Sequence, residues 1–509
     1  MTEGKNLPES HAVRQDFSGS LWTKEEVCVI YIHEVRETKG AGKHMFIRHR
    51  SNLERETNIT EGVIWKQLLA FFFPILLGTF FQQLYNTADA MIVGRFVGKE
   101  ALAAVGGATG NLINLLVGFF VGLASGATVI ISQFYGGHRD EDVSKAVHTA
   151  AAMALGCGVL LTVVGIVLSP MLLRMMGTPE DVMDYALTYM RIYFAGMIPN
   201  LIYNIGSGVL RAVGDSRRPL YFLIAACLTN IVLDVVFVLY LHMGVAGAAL
   251  ATILSQAISA VLVALTLMRS DLSYKLFLRK IRFHMDLLGQ IIHIGLPAGL
   301  QSVMYSLSNV IIQSSVNSFG TDVLAAWTAY GKLDGLFWMT VSAFGISVTT
   351  FAGQNFGAQR YDRVRKSVRV CMGMTALATT TISILLLNFG ENLYRLFSND
   401  EEVIRQGMII LKLLVPTYMT YICVEVLSGA VRGAGDSVVP TLFTLCGICL
   451  LRVVWVKFVT PSHNDIDFML LSYPITWTIT SLLFVVYYLR GNWLKRCIKK
   501  AGFPEEVRA

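Results

Sequence analysis

Charged residues are scarce in this chain of 509 residues, and their scarcity argues against a soluble protein. Only 15% of the residues are charged and 54% are hydrophobic, whereas soluble proteins carry about 25% charged residues. Apolar runs extend almost from end to end, so lipid is the expected solvent. Because these runs are continuous and do not alternate with polar residues, they indicate α-helices and exclude a transmembrane β-barrel.

Residues that would support catalysis or metal binding are also few. The eight cysteines are scattered, and the single Cys-x-x-Cys, Cys446 and Cys449, lies inside an apolar segment without a second ligand pair. No HExxH or GxSxG motif is present, and no His or Cys residues cluster. These absences argue against an enzyme and against a cofactor, and the thiols are expected to be buried packing groups.

The sequence also lacks a cleavable signal peptide. Within residues 1–44 the apolar stretch Cys28–Ile32 is short and is flanked by charged residues. We therefore expect residues 1–63 to form a cytosolic tail. Met45 is an alternative start of translation, because three arginines then stand just before the first apolar segment.

Apolar segments long enough to cross a membrane are abundant. A spanning helix needs about 20 mostly apolar residues, and about twelve such segments follow Ile64 by that criterion. The expected fold is an all-α integral membrane protein with twelve transmembrane helices. The predicted helices are 64–94, 101–135, 143–169, 181–213, 217–243, 244–270, 285–317, 323–357, 363–389, 402–433, 437–460 and 467–490.

Positive charge predicts the orientation of these helices. Lys and Arg crowd every second loop, as at Arg217, Arg218 and 360–369, whereas loops such as 177–181 and 399–402 are neutral or acidic. By the positive-inside rule, both termini are cytosolic and the protein is multi-pass in the cytoplasmic membrane. The net charge of +7 then indicates attraction to anionic lipid, not nucleic-acid binding.

The sequence contains one pattern twice. Gln133–Arg139 returns as Gln354–Arg360, and Gly208–Pro219 returns as Gly429–Pro440, both at a spacing of roughly 220 residues, far longer than a solenoid repeat. With six helices per half, both halves enter from the cytosol and form parallel repeats, as in transporters that move one half against the other. The predicted parts are an N-terminal lobe 64–270, a basic cytosolic linker 271–284, a C-terminal lobe 285–490 and a basic cytosolic tail 491–509.

Acidic residues within apolar segments distinguish the two lobes. Asn230 and Asp234 lie four residues apart on one helix face, whereas their repeat partners are Leu451 and Trp455. Asp89 lies in the first helix, and the related helix of the C-terminal lobe has no acid at that place. An ionised group at the bilayer centre costs about 3 kcal/mol or more, and a bound proton or sodium ion relieves that cost. The N-terminal lobe is therefore expected to bind a small cation.

Other interpretations of the buried charges stay open. Asp89 precedes Arg95, so a salt bridge at the end of the helix would also satisfy it. Lys332 and Asp334 could form a structural pair, and Glu425 could contact a cationic substrate. The repeated Gly-Asp-Ser turns are expected to shape cytosolic loops and cap the following helices.

Taken together, these motifs resemble the multidrug and toxic compound extrusion (MATE) family, in its prokaryotic DinF-like branch. The resemblance covers nearly the whole chain and implies a two-lobe transporter that exports organic cations and other amphipathic compounds against inward flow of protons or sodium. It rests on the Gly-Asp-Ser…Pro turns at 214–219 and 435–440, the Gln…Gly…Arg turns at 133–139 and 354–360, and the Leu-Tyr-Asn-x-x-Asp that ends at Asp89.

The resemblance also implies roles for individual residues. In the DinF-like branch two aspartates, an asparagine and a threonine handle the coupling cation, and the first helix bends at a proline. NorM-type relatives carry a glutamate in helix seven, where this chain has Tyr305, so a cation site in the C-terminal lobe is not implied. The matching residues are Asp89, Asp234, Asn230 and Thr252 for the cation and Pro74 for the bend.

The expected partners are a small organic molecule and membrane lipids, with the protein as a monomer. Adaptable side chains suit a site that discriminates poorly, and the candidate lining residues are Gln82, Tyr85, Tyr203, Asn204, Met304, Tyr305, Trp338 and Glu425. A rival interpretation is a lipid-linked oligosaccharide flippase, which needs a basic central cavity and is kept open by Arg452 and Lys457. A passive channel would need a symmetric lining, which the asymmetric acids do not provide.

Overall fold

The computed structural model describes residues 59–463 and 465–503. Within these ranges the chain is helical, with no β-strand. The predicted tail 1–63 and the alternative start at Met45 fall almost wholly outside the described residues, as does the end of the chain after residue 503. The twelve long segments are α1 Ile64–Phe96, α2 Lys99–Gly136, α3 Asp140–Met175, α4 Glu180–Ala195 with Met197–Ala212, α5 Arg217–Tyr240, α6 Gly244–Arg269, α7 Met285–Asn317, α8 Thr321–Gly357, α9 Tyr361–Arg395, α10 Glu401–Gly433, α11 Val438–Ser462 and α12 Ile466–Arg490.

The helical prediction is confirmed, with three local corrections. Eleven helices in the described ranges are long and apolar enough to cross a membrane, whereas α4, predicted as one helix, is interrupted at Gly196. Pro199 has no amide hydrogen to donate to the Ala195 carbonyl, which ends the first part of the helix. A side chain at Gly196 would clash with Ile253 of α6, so the glycine permits close packing. The predicted end of α3 at residue 169 is wrong, because the helix continues through Pro170 to Met175. Similarly, α9 continues to Arg395 and not to residue 389.

Two segments at corresponding places in the repeats contain widened π turns. α5 changes from α-helix to π-helix directly after Asp234, at Val235–Tyr240. α11 does so at Trp455–Val459 and also at Leu445–Leu450. A π turn is rare in proteins and is found frequently at functional sites, so its position beside Asp234 is notable.

Backbone conformation repeats along with the sequence. His138 and its repeat partner Gln359 have positive φ angles of 53° and 56°, and Gly214 and Gly435 have φ angles of 97° and 99°. The repeated acid also behaves as a cap, since Asp215 Oδ1 accepts hydrogen bonds from the Arg217 and Arg218 amides, both at 3.1 Å. The prediction that these turns cap the following helix is thereby confirmed.

The basic linker is held against α3. The Phe277 amide donates to His148 Nε2 (3.0 Å), and the His284 amide donates to Thr149 Oγ1 (3.3 Å). Lys280 lies over the Phe277 ring, 4.7 Å from its centroid. The linker is thus anchored to the N-terminal lobe, while the exact lobe boundaries stay predictions.

Glycines allow the two lobes to meet. A Cβ built on Gly122 of α2 would lie 2.6 Å from the Gly299 Cα of α7, and a Cβ on Gly295 would lie 2.9 Å from the Leu123 Cα. Phe72 of α1 also stacks on Phe344 of α8, with ring centroids 4.0 Å apart. Small residues thus bring the helices together closely, as expected between packed membrane helices.

Two related hydrogen bonds close the same end of this interface. Gln133 Nε2 of α2 donates to the Gly433 carbonyl oxygen (2.8 Å), and Gln354 Nε2 of α8 donates to the Ala212 carbonyl oxygen (2.7 Å). The two glutamines are repeat partners, and so are the two acceptors. We call this pair of bonds the cytosolic latch, after the prediction from the charge pattern that these helix ends face the cytosol.

Candidate cation-binding site

The four residues predicted to bind the cation lie on three helices of the N-terminal lobe. Asp89 is on α1, Asn230 and Asp234 are on α5, and Thr252 is on α6; α5 packs against both α1 and α6. All four are buried, with exposed fractions of 4%, 0%, 0% and 3% in that order. Asp89 lies close enough to interact with Asp234 and with the Thr252 hydroxyl. We call these four residues the acidic cluster.

The acidic cluster is electrostatically uncompensated. Asp89 Oδ1, both carboxylate oxygens of Asp234 and both amide atoms of Asn230 are buried without a hydrogen-bond partner in the described structure. No ion pair among residues 59–463 and 465–503 includes either aspartate, so the alternative salt bridge to Arg95 is not formed. Buried charges without partners are costly and mark functional sites in membrane proteins.

The cluster presents oxygen ligands to a small hard cation. Two carboxylates, one amide oxygen and one hydroxyl oxygen suit a proton or a sodium ion, because hard cations prefer oxygen donors. The Thr252 hydroxyl donates to the Ala248 carbonyl oxygen in its own helix (3.1 Å), so its lone pairs face other groups. In the described part of the chain, no three His, Cys, Asp or Glu side chains are grouped for a metal ion, so a sodium ion would need the neutral ligands as well.

Sequence reasoning missed the aromatic side of this site. The Tyr189 hydroxyl of α4 lies near Asp89, and Tyr193 lies one turn further along the same helix. Their rings stack with centroids 6.0 Å apart. Gln256 of α6 contacts both Tyr85 and Tyr193. The spacing of these residues could have indicated this side of the site. Tyr189 and Tyr193, like Thr252 and Gln256, are four residues apart and so lie on one helix face.

The candidate substrate-lining residues are not all gathered in one place. Tyr85 is buried beside the acidic cluster, whereas Gln82 is exposed. The Tyr203 hydroxyl donates to the Pro219 carbonyl oxygen (3.3 Å), and Asn204 Nδ2 donates to the Asn200 carbonyl oxygen (2.9 Å). Tyr203 and Asn204 therefore make contacts within the N-terminal lobe.

The remaining candidates lie in the C-terminal lobe. Met304 and Tyr305 of α7 are half-buried. The Tyr421 hydroxyl of α10 lies 3.3 Å from the Tyr305 hydroxyl and donates to Glu425 Oε2 at 3.5 Å. These contacts form a chain of polar side chains from α7 to Glu425.

Asp334 does not pair with Lys332. Its carboxylate accepts hydrogen bonds from the Tyr418 hydroxyl (2.5 Å) and from Trp338 Nε1 (2.6 Å), whereas Lys332 is exposed. The structural pair considered from the sequence is thus wrong, because residues two positions apart lie on different helix faces. Asp334 is satisfied by neutral donors, unlike the aspartates of the acidic cluster.

Pro74 lies inside α1, which continues as one helix from Ile64 to Phe96. Proline has no amide donor, so one backbone hydrogen bond is missing at this point of the helix. The Phe71 and Phe72 rings just before it pack on α8, whereas Asp89 lies beyond it. A bend at Pro74 would therefore move Asp89 relative to the part of α1 that contacts the other lobe.

Comparison with known proteins gives consistent matches over most of the chain. The family model described as MatE matches residues 74–236 and 297–456. A probable multidrug resistance protein of Bacillus subtilis, YoeA, is 29% identical over 447 residues, which cover 86% of this chain and 96% of that protein. A FAD transporter of Shewanella oneidensis is 24% identical and covers 84% of this chain and 94% of that protein. The solved structure of a MOP superfamily transporter from Pyrococcus furiosus superposes with a TM-score of 0.80 at 22% identity, covering 86% of this chain and 98% of the other.

Proposed function

Because the chain belongs to the MatE family, we propose that it exports amphipathic organic compounds, often cationic, in exchange for inward movement of protons or sodium ions. The observation that carries this proposal is the acidic cluster, whose carboxylates are buried with unpartnered oxygens. A carrier that couples to a cation needs a site whose charge is balanced only when the cation is bound. The name of the B. subtilis relative supports export of drugs.

The arrangement supports an alternating-access cycle. With the cytosolic latch closed, the acidic cluster is reached from the outer side, where it takes up the coupling cation. Neutralising the cluster removes the repulsion between Asp89 and Asp234 and permits α1 to bend at Pro74. The bend displaces the exported compound. Opening of the cytosolic latch then exposes the site to the cytosol, where the cation leaves and the next compound binds.

The latch gives a prediction for the conformational equilibrium. Each neutral hydrogen bond contributes about 1 kcal/mol, so the double variant Gln133→Ala with Gln354→Ala should lower the closed-to-open ratio by about 30-fold. We expect spin labels at Asp140, the first residue of α3, and at Asp362 in the first turn of α9 to show a longer distance in this variant. Asn355→Ala is the control, because the side-chain Nδ2 of Asn355 donates to the Phe351 carbonyl oxygen within its own helix (2.7 Å) and not to the other lobe. An unchanged distance in the double variant contradicts a gating role.

The proposed exchange is tested with gradients imposed one at a time. Inverted membrane vesicles that contain the protein should accumulate rhodamine 6G when the proton or sodium concentration is made higher inside the vesicles than outside. They should not accumulate the dye without such a gradient. A response to one gradient alone identifies the coupling ion. If neither gradient drives accumulation, the coupled-exchange proposal fails and a flippase or a channel is favoured.

The flippase alternative loses support from the placement of the two basic residues. Arg452 is buried between α11 and α12, whereas Lys457 is exposed. A pyrophosphate-binding cavity needs several basic groups that converge on one space. Because Arg452 and Lys457 lie on different faces of α11, they do not form such a cavity together.

A further inference from the structure

Arg452 is a buried charge that the coupling mechanism does not use. It lies in the middle of α11, and only 4% of its surface is exposed. Its Nη2 donates to Thr476 Oγ1 of α12 (3.2 Å), and its Nε is buried without a hydrogen-bond partner. A guanidinium carries five N–H donors and stays charged, so a single hydroxyl leaves most of its bonding capacity unused.

Aromatic faces surround this guanidinium. Its Cζ lies 4.0 Å from the ring centroid of Tyr473 and 6.0 Å from that of Trp477, both on α12. Tyr305 of α7 and Tyr421 of α10 are close enough to interact with it electrostatically. Cation–π contacts hold the guanidinium in place, but they do not neutralise its charge.

Two half-buried carboxylates of the same lobe have hydrogen-bond partners other than Arg452. Asp334 accepts hydrogen bonds from Tyr418 and Trp338, and Glu425 accepts one from Tyr421. Among the ion pairs of residues 59–463 and 465–503, none includes Arg452. The guanidinium is therefore buried and oriented without a direct ion pair, and Glu425 reaches it only through the two tyrosines, Tyr305 and Tyr421, that both groups face. An anion bound beside Arg452 would supply the missing direct pair.

The repeat places this group where the other lobe has its acids. At the repeat offset, Tyr473 corresponds to Thr252, Trp477 to Gln256 and Leu451 to Asn230. Arg452 directly follows Leu451 and reaches the same gap between the fifth and sixth helices of its lobe. One lobe thus carries buried carboxylates without an ion pair, and the other carries a buried guanidinium without an ion pair among aromatic rings.

We infer that Arg452, Tyr473, Thr476 and Trp477 form a subsite for the anionic group of a planar aromatic compound, such as an aromatic carboxylate, sulfonate or phosphate. The guanidinium pairs with the anion, and the half-buried Tyr473 stacks on the ring system. Trp477, which is buried, packs edge-on against Tyr473 and holds it in place. This inference rests on the proposed export function, and it adds zwitterionic and anionic aromatic compounds to its substrates. Because Arg452 lies in the middle of its span, a lipid phosphate at the membrane surface is not the expected occupant.

The test compares two dyes that share one ring system and differ in charge. Fluorescein is an anionic xanthene and rhodamine 6G is a cationic xanthene. Binding to the purified full-length protein in phosphatidylcholine nanodiscs is measured by fluorescence anisotropy, without any ion gradient. We expect Arg452→Met to weaken fluorescein binding by at least about ten-fold and to leave rhodamine 6G binding within about two-fold. Arg452→Lys keeps the charge but loses the planar stack. Its affinity for fluorescein should therefore lie between that of the unaltered protein and that of Arg452→Met.

Thermal unfolding separates this role from a structural one. Replacing a buried unpaired charge with an apolar group of similar length is commonly neutral or stabilising, so Arg452→Met should melt at the same or a higher temperature. A lower melting temperature with equal losses for both dyes, or no binding of fluorescein by the unaltered protein, overturns the subsite. Competition by phosphatidylglycerol in the nanodisc overturns the assignment to a substrate.

The matched variant Asp89→Asn keeps this test independent of coupling. It lies in the other lobe, so it should retain fluorescein binding even where it abolishes export. Absence of gradient-driven export by the unaltered protein, with charge-selective dye binding intact, would leave the subsite standing and remove the exchange proposal. Gradient-driven export by the unaltered protein without charge-selective dye binding would remove the subsite alone.

Discussion

Replacing either Asp89 or Asp234 with asparagine is expected to abolish coupled export while the protein still inserts and folds. Removing one charge from a buried charged site costs about 3–5 kcal/mol, which lowers affinity for the coupling ion by about 10²–10⁴-fold. Asparagine preserves the shape of the side chain, so the loss reports the charge. The loss of export is measured as reduced gradient-driven accumulation of rhodamine 6G in inverted vesicles.

Stability distinguishes this outcome from simple unfolding. Both carboxylate oxygens of Asp234 lack a hydrogen-bond partner, so Asp234→Asn should melt at the same or a higher temperature than the unaltered protein. Asp184→Asn is the matched control, because Asp184 is exposed on α4 of the same lobe, and it should retain full export. If both cluster variants exported normally, the acidic cluster would not be the coupling site.

A second large effect is expected from Gly295→Leu. A Cβ at Gly295 would lie 2.9 Å from both the Leu123 Cα and its carbonyl carbon, and a backbone cannot move aside as a flexible side chain can. Overpacking of this kind costs about 3 kcal/mol or more in the closed arrangement, so the population of that arrangement should fall by about 100-fold. Export should fall accordingly, because the carrier can no longer complete its cycle.

The same helix provides the control for this variant. A Cβ on Gly289 would meet no atom within 4 Å, so Gly289→Leu should leave export unchanged. Labels at Asp140 and Asp362 should separate in Gly295→Leu and keep their distance in Gly289→Leu. Identical behaviour of the two variants would show that the close approach of α2 and α7 is not needed for the cycle.

Hydropathy and internal duplication were sufficient to predict the fold from the sequence. Hydropathy is a local signal, and the lipid solvent forces every span to be a helix. The duplication is visible when the two halves of the sequence are compared directly. Asp89, Asn230 and Asp234 were predictable from the sequence as polar groups within apolar runs, whereas Thr252 was implied only by the resemblance to the MATE family. In contrast, the packing of Gly196 against Ile253 of α6 depends on tertiary placement, which no local pattern reveals.

Contacts that depend on tertiary placement were not predictable. The Gln133 and Gln354 amides bond to carbonyl oxygens in the opposite lobe, and either glutamine alone resembles an ordinary polar residue at a helix end. Arg452 was recognised as a basic residue in an apolar segment, but its isolation from carboxylates required the structure. Whether Pro74 acts as a hinge stays a prediction.

The π turns have a consequence for the origin of this chain. An i→i+5 turn holds one more residue than the α-helical turn, and α5 and α11 both contain one at corresponding places. A shared irregularity of this kind is inherited more simply than acquired twice. The ancestral gene therefore encoded a single six-helix unit with the widened turn already present, and that unit would have paired with an identical copy of itself. Opposite charge on the two sides of the modern molecule arose after fusion, when each copy was free to change alone.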